Sequence, residues 1–131
     1  MKKYLLIFVF LVMSALVISQ PKVKVKVIYF HGTHRCPTCL AIEDLTRKTL
    51  DKYYRSEMEK GLISFSSINV DEKQNKKIAE DYEVYGSSLF LVKMMNGKEN
   101  RNNLTDFAFT NARNESKFML DLKAKIDELL K

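Results

Sequence analysis

From Lys22 to Val27 polar and apolar residues alternate strictly, Lys-Val-Lys-Val-Lys-Val, and Ile28-Tyr29-Phe30 then run apolar without a break. Alternation has the two-residue period of a strand, and an unbroken apolar end marks burial on both faces. A strand is therefore expected that begins half-exposed, with its lysines toward solvent, and ends buried. From Pro37 the period changes. Cys39, Ile42, Leu45, Leu50 and Tyr53 recur near one face of a helix, while Glu43, Asp44, Arg47, Lys48 and Asp51 lie off it. Pro37 suits a first helical position, where its missing N–H would have had no intrahelical partner. The helix should end between Tyr54 and Lys60, with Gly61 as its stop.

Leu62 to Val70 predicts a second strand, after which Asp71 can cap a helix that turns Ile78, Ala79 and Tyr82 inward. A strand joined to the next by a long helix implies a parallel pair with a right-handed crossover. Ser88 to Lys93 predicts a third strand, and Asn96-Gly97 is a two-residue hairpin signal into a short fourth strand over Lys98 to Arg101, antiparallel to the third. Leu104 and Phe109 can staple a short helix capped by Thr105. The last helix carries Phe118, Met119, Leu122, Ile126, Leu129 and Leu130 on one stripe. The order is βαβαββα, an α/β architecture with a four-stranded mixed sheet flanked by helices. Tyr53, Tyr54, Phe107 and Phe109 are expected in the core or lining a groove.

Two features ahead of the first strand set the compartment. Lys2 and Lys3 form a positive end, and Tyr4 to Ile18 is an apolar run shorter than the roughly 20 residues needed to span a bilayer. That is the pattern of an export signal over residues 1–19, or of an uncleaved anchor, leaving residues 20–131 as one domain. An exported, periplasmic or otherwise extracytoplasmic location follows, with membrane contact only through that segment if it is retained. The formal charge of +6 includes Lys2 and Lys3, and basic residues are scattered among acidic ones with no arginine block. Nucleic-acid binding has no support in such a pattern. No Gly-rich phosphate loop is present, so no cofactor is expected, and nothing calls for more than a monomer.

The candidate chemistry sits in one run, His31-Gly32-Thr33-His34-Arg35-Cys36-Pro37-Thr38-Cys39, which holds both histidines and both cysteines of the chain. Dithiol exchange needs an accessible thiolate, a second thiol to resolve a mixed disulfide, and a field that stabilises the first sulfur's charge. Cys36 precedes a helix whose free N–H groups and dipole favour an anion, and Arg35 and protonated His34 add positive charge. Cys39 falls on the apolar stripe, which suits a shielded resolver. The rival use is a metal or metalloid carrier, for zinc, copper or arsenic, with His31, His34, Cys36 and Cys39 as two nitrogen and two sulfur ligands. Closing all four around one ion would bend the backbone where a strand must feed a helix. An inert structural disulfide is the third use, and so short a loop would constrain little of the unfolded chain.

The Cys-X-X-Cys pair at the first strand-to-helix junction of a βαβαββα chain resembles the thioredoxin superfamily, from about Lys24 to Leu130. Asn69-Val70-Asp71 and the run Ile78 to Val84 are similar to the middle section of that family. His31 to Cys39, Gly86-Ser87-Ser88-Leu89-Phe90 and Arg101 to Phe109 more closely resemble a group of small exported thioredoxin-like proteins, the ArsF-type nitrophenyl compound nitroreductase subunit family. The resemblance implies a thiol-disulfide oxidoreductase acting on protein or small-molecule thiols and disulfides through Cys36 and Cys39, with a reductase as a further partner. His34, Arg35, Pro37, Ser87 and Ser88 would support the pair. Pro37-Thr38 is similar to the glutaredoxin and disulfide-oxidase pattern rather than to the thioredoxin Gly-Pro.

Two positions depart from the superfamily. Its cis-proline before the third strand falls on Ser88, and since a cis bond ahead of a non-proline residue costs about 2.5 to 4 kcal/mol, Ser87–Ser88 should be trans. Ser88 should then face Cys36. The buried acid ahead of the first cysteine falls on Phe30, leaving Glu43, one turn beyond Cys39, either as a substitute or as an exposed helix-face carboxylate.

Overall fold

In the computed structural model, residues 22–131 are described, and the leader expected over residues 1–19 lies outside them. The chain runs β1 (Val25–His31), α1 (Pro37–Tyr53), α2 (Arg55–Glu59), β2 (Ile63–Asn69), a 3-10 turn (Lys73–Asn75), α3 (Lys76–Asp81), β3 (Ser88–Met95), β4 (Lys98–Asn103), α4 (Thr105–Asn111) and α5 (Glu115–Leu130). The sheet order is β2-β1-β3-β4, with β1 parallel to β2 and the other pairs antiparallel. This is the mixed four-stranded α/β architecture that the sequence pattern predicts. Among the described residues no helix is long and apolar enough to cross a membrane.

Because side chains alternate across a strand, β1 feeds two cores. Val25, Val27 and Tyr29 pack with Ile42, Leu45 and Leu50 of α1 and with Phe118, Leu122 and Ile126 of α5. Ile28 and Phe30 face the other way, against Ala79, Tyr82, Val84, Phe90 and Val92. Phe30 is fully buried there in a trio of rings, 5.1 Å from Tyr82 and 5.8 Å from Phe90 between centroids. An apolar ring thus fills the position where an acid was sought.

The helix carrying the cysteines ends earlier than the periodicity allows. Tyr54 is buried, and its one hydroxyl hydrogen is shared between Lys123 O (2.8 Å) and Asp127 Oδ1 (2.6 Å) of α5, so the chain turns there and α2 starts afresh. Burial, then the Asp127 carboxylate, push the Tyr54 phenol well above its ordinary range. Gly61, at φ 70°, closes α2 as the expected stop. Thr46 and Thr49 are buried on α1 although polar, because each hydroxyl donates to the carbonyl one turn back, Ile42 O and Leu45 O (both 2.7 Å).

Three local expectations are corrected. Thr105 does not cap α4: its hydroxyl accepts from Leu89 N (3.2 Å), tying α4 to β3, and Asn103 Oδ1 takes the Thr105 N–H (2.9 Å). Phe109 stays 41% exposed and staples nothing, whereas Phe107 packs on Phe118. Lys26 does not point freely into solvent but reaches Glu99 Oε1 (2.9 Å) on β4. Asn96 and Gly97 take positive φ, 51° and 76°, as the hairpin requires.

Glu99 is the hub of a polar group that seals the small core. Tyr82 OH donates to it at 3.0 Å and Arg101 Nε at 2.8 Å, while the Arg101 guanidinium lies over the Tyr82 ring at 3.7 Å. Burial works against its charge, but hydrogen bonds from Lys26, Arg101 and Tyr82 outweigh that and hold the carboxyl at about 2, against an ordinary 4.5. A depressed carboxylate contributes stability that is complete above the unfolded value and is lost as pH falls through the folded one. Glu99→Gln should therefore cost about 1 to 2 kcal/mol in urea unfolding at pH 7, with the penalty shrinking between about pH 4.5 and 2. A penalty that does not vary with pH would contradict this account.

Candidate redox site

Parallel pairing of β1 with β2 sets His31 beside Asn69, so the loops leaving both strands begin at the same end of the sheet. They are joined at once. Thr33 N donates to Asp71 Oδ2 (2.7 Å), Asn69 Nδ2 donates to Thr33 Oγ1 (3.1 Å), and Asn69 Oδ1 accepts from Asp71 N (3.0 Å). Asp71 was expected to cap the next helix; instead it holds the loop that presents the cysteines. The Thr33 N–H is the main reason its carboxyl sits below the ordinary range. A Cβ at Gly32 would come within 3.3 Å of Asp71 Oδ2, so this approach leaves little room for a side chain.

Cys36 occupies the N-cap of α1 and Pro37 its first position. Its Sγ accepts from Cys39 N (3.1 Å) and its carbonyl from Leu40 N (3.0 Å). A sulfur at this place receives one of the free N–H groups of the first turn and lies at the positive end of the helix dipole. Cys36 is exposed and Cys39 is only 9% exposed, and the two are joined as a disulfide. The two sulfurs therefore lie in unequal surroundings within one helical turn.

Around the disulfide the expected supporters divide. His34 is exposed. His31 is half-buried, its Nδ1–H donating to Gly32 O (2.9 Å) and its ring stacked 6.0 Å from that of Tyr29. Among the described residues no three His, Cys, Asp or Glu side chains converge as metal ligands, and both sulfurs are taken by the disulfide. Ser87 and Ser88 are half-buried, and Ser88 opens β3 opposite Phe30 at the end of β1 from which the cysteine loop leaves. No cis peptide bond occurs among the described residues, so Ser87–Ser88 is trans as expected.

Arg35 does not extend over Cys36 as a free cation. Its Nη2 lies 2.6 Å from Glu43 Oε2, and Glu43 also accepts from Arg47 Nη2 (2.7 Å). Glu43 is therefore a half-buried, twice-paired carboxylate and not an exposed one. Burial opposes its charge, but hydrogen bonds from Arg47 and Arg35 prevail and lower its carboxyl below the ordinary range. Tyr29, read from the sequence only as core, also belongs to the site: its hydroxyl donates to Cys39 O at 2.8 Å. A crevice of about 240 Å3 opens beside Asp71, walled by Val70, Ala79, Val84 and the 93% exposed Tyr85.

No protein-family model matches the chain, and no curated protein matches it. Among solved structures it is similar to a thioredoxin from Thermus thermophilus, with 20% identity and a TM-score of 0.50 over 87% of this chain and 82% of that one. A Plasmodium falciparum thioredoxin is similar at 16% identity and TM-score 0.47, over 79% and 75% of the two chains. An Entamoeba histolytica thioredoxin variant shares 26% identity at TM-score 0.43, over 84% and 92%. The first likeness and the strand order define the class: a thioredoxin-fold protein with a Cys-X-X-Cys disulfide at its first strand-to-helix junction.

Asp71→Ala should loosen that junction without unfolding the sheet. Hydrogen exchange at the Thr33 amide is expected to speed up selectively, and in the unaltered protein the same amide should lose protection as pH falls below the ordinary Asp value near 3.8.

Proposed function

We propose that the protein is a thiol-disulfide oxidoreductase working through Cys36 and Cys39. One observation carries this: within a single helical turn, one sulfur is exposed and hydrogen-bonded to a helix N–H, and the other is buried on the apolar face. In the reduced protein the Cys36 thiolate attacks a partner disulfide, forming a Cys36–partner bond and releasing one partner thiolate. Cys39 then attacks Cys36 Sγ, the second partner sulfur leaves with the electron pair and takes up a proton, and the pair becomes the disulfide seen here. Two electrons have passed to the partner. The same atoms run the reverse reaction when partner thiols reduce the disulfide.

The substrates are protein or small-molecule thiols and disulfides, and the resemblance to the ArsF-type nitroreductase subunits adds a reductase as electron partner. The leader-like residues 1–19 support export, into a compartment where disulfides persist. Ser88 removes the proline ring that other thioredoxin-like proteins place beside the dithiol, and with the trans Ser87–Ser88 bond this supports a different docking surface.

Oxidised glutathione as substrate tests the reading. Cys39→Ser should accumulate a mixed disulfide at Cys36, and Cys36→Ser should fall to the uncatalysed rate. Alkylation of reduced Cys36 should be half-maximal well below the ~8.5 of a free thiol. A Cys36 that titrates like a free cysteine and traps no mixed disulfide would refute the proposal.

A further inference from the structure

Arg35 precedes the exposed cysteine, yet its side chain folds back along the first turn of α1. Besides the 2.6 Å pair with Glu43, its Nη2 makes a long contact of 3.5 Å with Cys39 O, and its guanidinium carbon lies 5.5 Å from the Tyr29 ring centroid. The side chains of Arg35 and Glu43 are only 18% and 13% exposed. The Arg35 Nε–H is buried and has no hydrogen-bond partner. A buried donor left unpaired is costly and rare, and where one persists a redox or catalytic role is among the established reasons.

The oxidised pair gives that donor nothing to bind, because neither disulfide sulfur carries charge. Reduction changes this. When one partner thiolate opens the Cys36–Cys39 bond to form a mixed disulfide and a second displaces the cysteine sulfur from it, two electrons enter the pair, one partner disulfide leaves, and the sulfurs become a thiolate and a thiol after one proton is taken up. A negative charge then appears one or four residues along the chain from Arg35, at the same helix turn.

We propose that Arg35 and Glu43 are positioning residues that set the redox equilibrium of the Cys36–Cys39 pair in opposite directions. Arg35 supplies the donor, idle in the disulfide, to the charge that appears on reduction; Glu43 fixes that guanidinium and offsets its charge. The inference rests on the redox function proposed above. Its sign follows from charge alone. Arg35, Arg47 and Glu43 sum to one positive charge, which becomes zero without Arg35 and two without Glu43, and positive charge favours the thiolate-bearing reduced state.

The test is equilibration of the full chain in glutathione redox buffers at pH 7, with the reduced fraction read by alkylation and mass. For Arg35→Gln the equilibrium constant for reduction should fall about fivefold, a potential about 21 mV more negative. Glu43→Gln should raise it about threefold, about 14 mV more positive. Arg35→Lys, which keeps the charge but has no Nε–H, should fall about twofold. Glu43→Gln removes the negative charge while its amide oxygen can still accept from the Arg35 guanidinium, and the Tyr29 bond to Cys39 is untouched, so it decides the matter even where Arg35→Gln does not fold. Shifts of the same sign in Arg35→Gln and Glu43→Gln, or no shift in Glu43→Gln, overturn the inference while leaving the oxidoreductase standing. A wild-type pair that does not interconvert in these buffers overturns the oxidoreductase itself, and this inference with it.

Discussion

The parallel pairing of β1 with β2 is the constraint on which the site depends. It brings His31 and Asn69 side by side and starts two loops from one end of the sheet, so that Asp71 can reach Thr33 N at 2.7 Å. An antiparallel neighbour would have sent the second loop to the opposite end. The pairing in turn needs β1 to be apolar on both faces, with Val25, Val27 and Tyr29 on one core and Ile28 and Phe30 on the other. A segment that must be buried twice leaves its polar business to the residues just past its end. Gly32 to Cys39 occupy that place.

Electrostatics at the site comes from two sources of different reach. The helix N-terminus acts on Cys36 through one N–H at 3.1 Å, fixed by backbone geometry and independent of side-chain chemistry. The Arg35, Glu43 and Arg47 group acts from beside it and can be altered by substitution without disturbing the helix. Tyr29 joins the two, since its hydroxyl holds the carbonyl of the buried cysteine while its ring carries the Arg35 guanidinium. The sheet therefore bears on the first turn of α1 through the Tyr29 phenol.

Element order, strand pairing and the unequal cysteines were legible in the sequence because each has a periodic or local signature: alternation over Lys22 to Val27, the stripe from Cys39 to Leu50, the Asn-Gly hairpin. The partners of charged side chains were not. Asp71 has the chemistry of a helix cap, and only the return of β2 to the side of β1 gives it Thr33 instead. Its signal was the placement of Asn69-Val70-Asp71 at the end of a strand parallel to the one that delivers the cysteines. Glu43 lies off the apolar stripe and so reads as exposed, until the neighbouring Arg35 folds back over it. Tyr54 continues the helical pattern in sequence, while its hydroxyl is held by α5, and that distant hold ends the helix.

That hold on α5 has a consequence in time. Among the described elements α5 is the last to leave the ribosome, and it supplies Phe118, Leu122 and Ile126 to the core against which α1 is laid. Until it docks, the face of α1 that carries Ile42, Leu45 and Leu50 lacks the α5 half of its apolar bed. The apolar bed of α1 is thus completed by a long-range contact of the kind that forms late in folding.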